Sequence, residues 1–290
     1  MTAAIYARRA EKTVLLIEKE NFGGQITYSP KVENYPGFMQ MAGTEFADKL
    51  LEQVTALNTD IEMEEVTSVK RDGDVLTVTT DRAEHQCKAV IIAAGSKHRH
   101  LGIEREEELT GSGVSYCAVC DGAFYAGKTA AVIGGGNTAL QDAMLLSDLC
   151  EKVYILQNLP ALTGEERLAK KLYAKENVEI ICSVTVEALL GDTDVTGVTI
   201  KYAETNDTKD IAVDGIFVAV GQQPENEPYK AVTEINDYGY IVSGEACTTA
   251  DPAVFAAGDC RTKQVRQITT ATGDGAVAAV AACRYIDSLD

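Results

Sequence analysis

The sequence predicts an α/β fold containing two βαβ units, and three observations predict it. Over residues 129–156 a strand-like run, a glycine loop, a helix-like run and a second strand-like run follow in order. Residues 2–18 read as the back half of another such unit, a helix end followed by a strand that closes on Glu18. Two further short apolar runs, 89–95 and 254–259, end in a tight turn and on an acid, as buried parallel strands do.

Taken in chain order, residues 2–10 are the helix end and 13–18 the strand. In a dinucleotide fold, an acid closing that strand accepts hydrogen bonds from a ribose hydroxyl. The strand and glycine loop that should open this unit would lie before Met1, so the natural chain is expected to begin upstream. Phe22-Gly23-Gly24-Gln25 is a glycine loop, and residues 42–57 have helical spacing. Residues 61–70 and 75–80 read as strands of a small antiparallel excursion. Residues 102–112 and 221–228 are polar or turn-rich and are the expected crossings between domains.

The clearest unit opens with Thr129-Ala-Ala-Val-Ile133, an unbroken apolar run. Gly134-Gly-Gly136-Asn137-Thr138-Ala139 follows at once. Its glycines allow a tight turn and let backbone N–H groups approach a pyrophosphate at a helix N-terminus. Ala139, Ala143, Leu146 and Leu149 then share one helix face. Later strands are expected at 177–182, 195–202 and 215–220, and a buried alanine-rich helix at 273–286.

Composition narrows the functional classes. Hydrophobic residues make up 46% of 290 residues, the composition of a globular chain, and the net charge of −18 argues against nucleic acid or an anionic membrane surface as partner. No apolar run approaches the ~20 residues needed to span a bilayer, and residues 1–10 lack a signal-peptide pattern, so the cytoplasm is the expected compartment. Eight cysteines contain a single close pair, Cys117 and Cys120. A zinc ribbon would need a second pair, so no metal site is expected. The other six cysteines read as small buried hydrophobes.

Two thiols two residues apart can close a small disulfide and reopen it with a low-pKa thiolate. Beside a dinucleotide loop, such a pair points to electrons passing from a nucleotide cofactor to a disulfide. Asp121, next to Cys120, is either a proton donor to a departing thiolate or a turn residue before Gly122.

These segments together resemble the low-molecular-weight thioredoxin reductases along nearly the whole chain. The matching stretches are Gly23-Gly24-Gln25, Val32-Glu-Asn34-Tyr-Pro-Gly-Phe38, Cys117-Ala-Val-Cys120-Asp121-Gly122, Gly134-Gly-Gly-Asn-Thr-Ala139, Phe255-Ala-Ala-Gly258-Asp259 and Arg266-Gln267-Ile268. The resemblance implies two Rossmann-like, three-layer domains. An FAD domain made of residues 1–107 and 228–290 would be interrupted by an NAD(P)-like domain, 108–227, carrying the cysteine pair. Glu18, Gly23, Gly24, Gln25, Asn34, Gly95, Gly258, Asp259, Arg266, Gln267 and Ile268 would hold FAD. Gly134, Gly136, Asn137, Thr138 and Ala139 would form the second nucleotide loop. Cys120 would face the flavin, Cys117 would attack the disulfide of thioredoxin or a similar small dithiol protein, and Asp121 would act as the acid. A homodimer is implied as well.

One stretch departs from that family. NADPH-using members carry a basic cluster after the second strand of the nucleotide domain, whereas residues 157–163 here, Gln-Asn-Leu-Pro-Ala-Leu-Thr, contain no Arg, Lys or His. Losing two or three charge-assisted phosphate bonds at ~1.5–3 kcal/mol each disfavours NADPH. The acid that selects NADH is also absent, with Gln157 near its place. NADH or a protein donor such as ferredoxin therefore stays open. Alternative readings are a flavin-dependent reductase of another disulfide or of a peroxidase partner, and an inactive truncated fragment.

Overall fold

The computed structural model describes residues 1–29 and 32–289. Six α-helices are found among them: α1 (Thr2–Arg9), α2 (Gly43–Ala56), α3 (Ala118–Asp121), α4 (Asn137–Leu149), α5 (Glu166–Tyr173) and α6 (Ile268–Asp287). The chain forms two compact units, Met1–Lys97 with Gln223–Asp290, and His98–Gln222. The change-over thus falls at 97/98 and 222/223 rather than at 107/108 and 227/228. Residues 98–107 go with the second unit for a clear reason. Glu106 is 3% exposed and accepts the N–H groups of Leu101 and Gly102, each at 2.9 Å, and the Tyr116 hydroxyl at 2.8 Å.

In the second unit five parallel strands lie in the order Val178–Ile181, Lys152–Leu156, Thr129–Ile133, Gly215–Val218 and Val114–Ser115. The middle strand is covered on both faces, which is why it reads as an unbroken apolar run. On one face Leu140, Ala143 and Leu146 of α4 and Leu172 of α5 pack on Ala130, Val132, Val153 and Ile155. On the other, an antiparallel sheet of Val184–Leu190, Gly197–Tyr202 and Thr208–Ala212 packs Val198, Ile200 and Ile211 against Ala131, Ile133 and Ile216. The result is the expected three-layer Rossmann-like arrangement.

In the first unit, Leu15–Glu18 pairs in parallel with Asp60–Met63, and Val90–Ile92 pairs in parallel with Val254–Ala256. A separate antiparallel sheet contains Val66–Asp72, Val75–Thr80 and Glu84–Cys87. The run 61–70 is therefore two strands in two sheets. The chain turns at Glu64, whose half-exposed neighbours flank a buried carboxylate: it accepts the Thr80 hydroxyl at 2.7 Å and lies 3.0 Å from the His85 ring. α6 begins at Ile268, earlier than expected, and is buried along only one face. Ala278, Ala279 and Ala282 are covered, while Val277 and Val280 stay 43% and 41% exposed. Four of the six scattered cysteines are buried; Cys87 and Cys182 are partly exposed.

Candidate active site

Strand Val114–Ser115 delivers the chain to the carboxyl edge of the parallel sheet, where Cys117 caps α3. Cys117 and Cys120 form a disulfide, with Cα atoms 5.3 Å apart. The Cys117 sulfur also accepts the Cys120 N–H at 3.2 Å, and the Cys117 carbonyl accepts the Asp121 N–H at 3.0 Å. The short helix thus holds both sulfurs and the acid on a single turn. The glycine loop leaves the same edge of the sheet two strands away, about 10 Å at ordinary strand spacing.

Asp121 is held by a residue that sequence reasoning missed. The Ser115 hydroxyl donates to Asp121 Oδ2 at 2.6 Å, and its oxygen accepts the Cys117 N–H at 3.1 Å. The other carboxyl oxygen, Oδ1, is buried with no partner among the described residues. Burial pushes the Asp121 carboxyl above its ordinary value, and the Ser115 bond opposes that. The available signal was a hydroxyl two residues before the first cysteine, too common a pattern to single out. Tyr116, the next residue, is tied to buried Glu106, and its ring stacks on His98 at 5.1 Å.

The FAD residues expected from sequence all lie in the first unit, and their chemistry fits that cofactor. Gly24 and Gly95 have φ of 55° and 71°, and a Cβ built on either meets nothing within 4 Å, so both border open space. Asp259 Oδ1 and Arg266 Nε are buried without hydrogen-bond partners among the described residues, as groups awaiting a polar ligand would be. Burial raises the Asp259 carboxyl, while Lys263 and Arg266 draw it down. Glu18 ends its strand and accepts the Glu20 N–H at 2.9 Å. Gln25 donates to the Ser96 carbonyl. Asn34 donates to Gln267 at 3.1 Å, joining two of the expected residues directly. Gln267 in turn caps α6 ahead of Ile268, and the Arg266 guanidinium lies 4.3 Å from the Tyr240 ring centroid. Gly23 has a φ of 115°, which opens the following turn.

A buried ionic cluster lies behind this set and was not foreseen. Asp274 of α6 accepts the Gly258 N–H at 3.0 Å, two bonds from Arg261 at 2.9 and 2.8 Å, and one from Lys263 at 2.8 Å. Burial opposes its charge, but Arg261 and Lys263 prevail and hold it at about 2.

At the second loop, Gly134 donates to the Leu156 carbonyl at 2.9 Å, and the Gly135 carbonyl accepts Thr163 and Gly164 N–H groups at 2.8 and 2.9 Å. Gly136, Asn137 and Thr138 open α4. Ala139 is fully buried, so its side chain serves the core and only its backbone could meet a ligand. Gln157 is 4% exposed. Its Oε1 accepts the Asn158 N–H at 3.1 Å and its Nε2 donates to the Ala161 carbonyl at 3.3 Å. Its side chain packs against Gly135, where a Cβ would collide with it. It is a structural residue of the loop, not an exposed ribose ligand. No group of three or more metal-ligating side chains, and no helix long and apolar enough to cross a membrane, occurs among the described residues.

The fold and these sites define a nucleotide-dependent disulfide oxidoreductase. Residues 1–275 match the family model for pyridine nucleotide-disulphide oxidoreductases, and the chain belongs to that family. The thioredoxin reductase of Listeria monocytogenes is 38% identical over 290 residues, covering 100% of this chain and 91% of the relative. The solved thioredoxin reductase of Streptococcus pyogenes superposes with a TM-score of 0.94 at 36% identity, covering 99% of this chain and 94% of that one. A ferredoxin-flavin thioredoxin reductase from Clostridium acetobutylicum gives 0.53 at 28% identity, covering 99% and 93%. The chain is an FAD-dependent oxidoreductase that acts on a disulfide.

Proposed function

We propose that this chain reduces the disulfide of thioredoxin, or of a similarly small dithiol protein, as its curated relatives' names indicate for them. The observation that carries this reading is the Cys117–Cys120 disulfide at the head of α3, with Val119 between the sulfurs 54% exposed. The unit built from both chain ends is the FAD domain, and the inserted unit is the nucleotide-like domain that carries the sulfurs. When bound, FAD supplies a two-electron carrier competent to reduce the disulfide.

From the dithiol state, the chemistry belongs to this chain's own side chains. The Cys117 thiolate attacks one sulfur of the partner's disulfide, that S–S bond breaks, and the departing thiolate takes a proton from Asp121. The Cys120 thiol then gives its proton to the Asp121 carboxylate and attacks the Cys117 sulfur; the partner's second sulfur leaves as a thiolate that takes this proton, and the Cys117–Cys120 bond closes. The partner gains two electrons and two protons. Insulin reduction coupled through candidate thioredoxins tests the reading. Turnover that needs both the dithiol protein and both cysteines is expected. Full turnover with both cysteines replaced by serine would overturn it.

The donor belongs to the same proposal. Residues 157–163 offer no cation to a 2′-phosphate, and both amide atoms of Gln157 are spent inside the loop. NADPH is therefore disfavoured, and NADH or a ferredoxin-type protein is the donor class, the latter in keeping with the name of the Clostridium acetobutylicum relative. Stopped-flow flavin reduction decides this: slow bleaching by micromolar NADPH is expected, and fast bleaching would refute it. A cytoplasmic homodimer completes the reading, with sedimentation as its measurement.

A further inference from the structure

The geometry points to Ser115 as the residue that positions Asp121 and sets the pH range over which that acid can release its proton. The inference rests on the reading of Asp121 as the acid in disulfide exchange. Ser115 is 5% exposed and ends its strand two residues before the nucleophilic sulfur. Its single proton has two candidate acceptors, Asp121 Oδ2 at 2.6 Å and the Cys117 carbonyl at 3.4 Å. The shorter contact to a carboxylate takes it. The same oxygen accepts the Cys117 N–H at 3.1 Å. One hydroxyl therefore ties the acid to the backbone of the nucleophile.

Two consequences follow from this bond. Oδ2 is committed as an acceptor, so the neutral acid carries its proton on Oδ1, the oxygen that has no partner among the described residues. And a donor to a carboxylate favours the ionised form, against the burial that favours the acid. No other side chain hydrogen-bonds Asp121 among the described residues, so Ser115 alone supplies this counterweight. The titratable groups on the surrounding elements are Cys117, Cys120 and Tyr125 on the adjoining turns, Asp142 and Asp148 on α4, Cys150 just after it, Tyr116 beside Ser115, and Asp214 before the next strand. Tyr125 feels the charge of Asp121 and of Asp214.

The test uses the full chain with its dithiol prereduced and follows exchange with 2-hydroxyethyl disulfide against pH. The departing alkyl thiolate is basic and needs a proton, whereas the leaving group of an aryl disulfide such as dithiobis(nitrobenzoate) does not. With the alkyl probe, the alkaline limb of the profile reports Asp121. Ser115→Ala is expected to move that limb upward by about one pH unit, Ser115→Thr to leave it in place, and the aryl probe to show no shift. In the Asp121→Asn background the limb is expected to vanish, and adding Ser115→Ala to change nothing. Infrared titration of the Asp121 carboxyl, by difference against Asp121→Asn, gives the same shift without turnover, and Ser115→Gly carries the test should Ser115→Ala fail to fold. A rate lowered equally at every pH, with the limb unmoved, would overturn the role of Ser115 while leaving Asp121 as the acid. A limb that survives Asp121→Asn would remove the acid itself, and the inference with it.

Discussion

The Gly258 N–H donates to the Asp274 carboxylate across 3.0 Å, and this bond ties the turn that carries Asp259 to the body of α6. Asp274 also neutralises Arg261 and Lys263, whose side chains are only 9% and 7% exposed. Removing one charge from such a cluster leaves the others buried and unpaired, at a cost of ~3–5 kcal/mol. Asp274→Asn is therefore expected to weaken FAD binding at least tenfold, measured by release of flavin fluorescence on dilution. The pH dependence has a definite sign. The folded value, about 2, lies below the ordinary carboxylate value of 3.8. Its stabilisation is present above about pH 4 and is lost as pH falls through 2. Acid weakening of flavin binding in that window, lost in Asp274→Asn, which binds weakly at every pH, is the corresponding observation.

In the proposed exchange the two sulfurs take separate parts, and single replacements should divide them. Cys120→Ser leaves Cys117 able to attack but unable to resolve, so a covalent mixed disulfide with the partner should accumulate. Cys117→Ser should form none and should reduce no partner. Non-reducing electrophoresis with mass spectrometry of the captured peptide distinguishes the two. Neither change should release FAD, because every expected FAD residue lies in the other unit.

Much of this was legible in the sequence where one local rule governs. Residues 129–133 form the middle strand of a sheet covered on both faces, so burial wrote an unbroken apolar run, and the glycine loop followed immediately. Residues 84–87 and 208–212 were passed over because their strands are polar, the first half exposed and the second mostly so, with nothing to separate them from loops. Ser115 and Asp274 were missed for another reason. Each acts through partners far along the chain or across a turn, Asp274 with Gly258 and Arg261, Ser115 with Asp121, and no spacing rule encodes such bonds. Gln157 was placed correctly where the NADH-selecting acid is absent, but its structural part in the loop was not visible. Only the fold reveals that its amide is consumed by Asn158 and Ala161.

A gain of function would test the donor assignment. Asn158 and Leu159 are exposed on the segment after strand Lys152–Leu156, Leu159 at 47%, so arginines can be placed there without disturbing the core. Each new guanidinium that reaches a 2′-phosphate contributes ~1.5–3 kcal/mol. Asn158→Arg with Leu159→Arg should therefore tighten NADPH by one to two orders of magnitude, about 10–100-fold at 1.4 kcal/mol per tenfold. NADH should gain little, because it lacks the phosphate. Titration by quenching of flavin or nucleotide fluorescence measures both, and an equal gain for the two nucleotides would show that the arginines act only as a general positive field.

Asp142 offers a stability measurement that is independent of catalysis. It lies on α4 one turn before Leu146, a fully buried side chain, and burial alone pushes its carboxyl up to about 7. The folded chain therefore holds this proton where the unfolded chain, at an ordinary value of 3.8, has released it. Between those two values the native state binds more protons than the unfolded one, so stability falls as pH rises from about 4 to 7 and is level above that. Asp142→Asn keeps the shape of the acid and removes the ionisation. It should raise the melting temperature above pH 7 by roughly 2–4 °C per kcal/mol regained, should have little effect below pH 4, and should flatten the fall between them. Calorimetry at pH 4.5, 6 and 8 reads all three. A variant that melts lower at pH 8 would mean that the carboxylate is ionised and held by a counter-charge, the opposite of what its burial on α4 dictates.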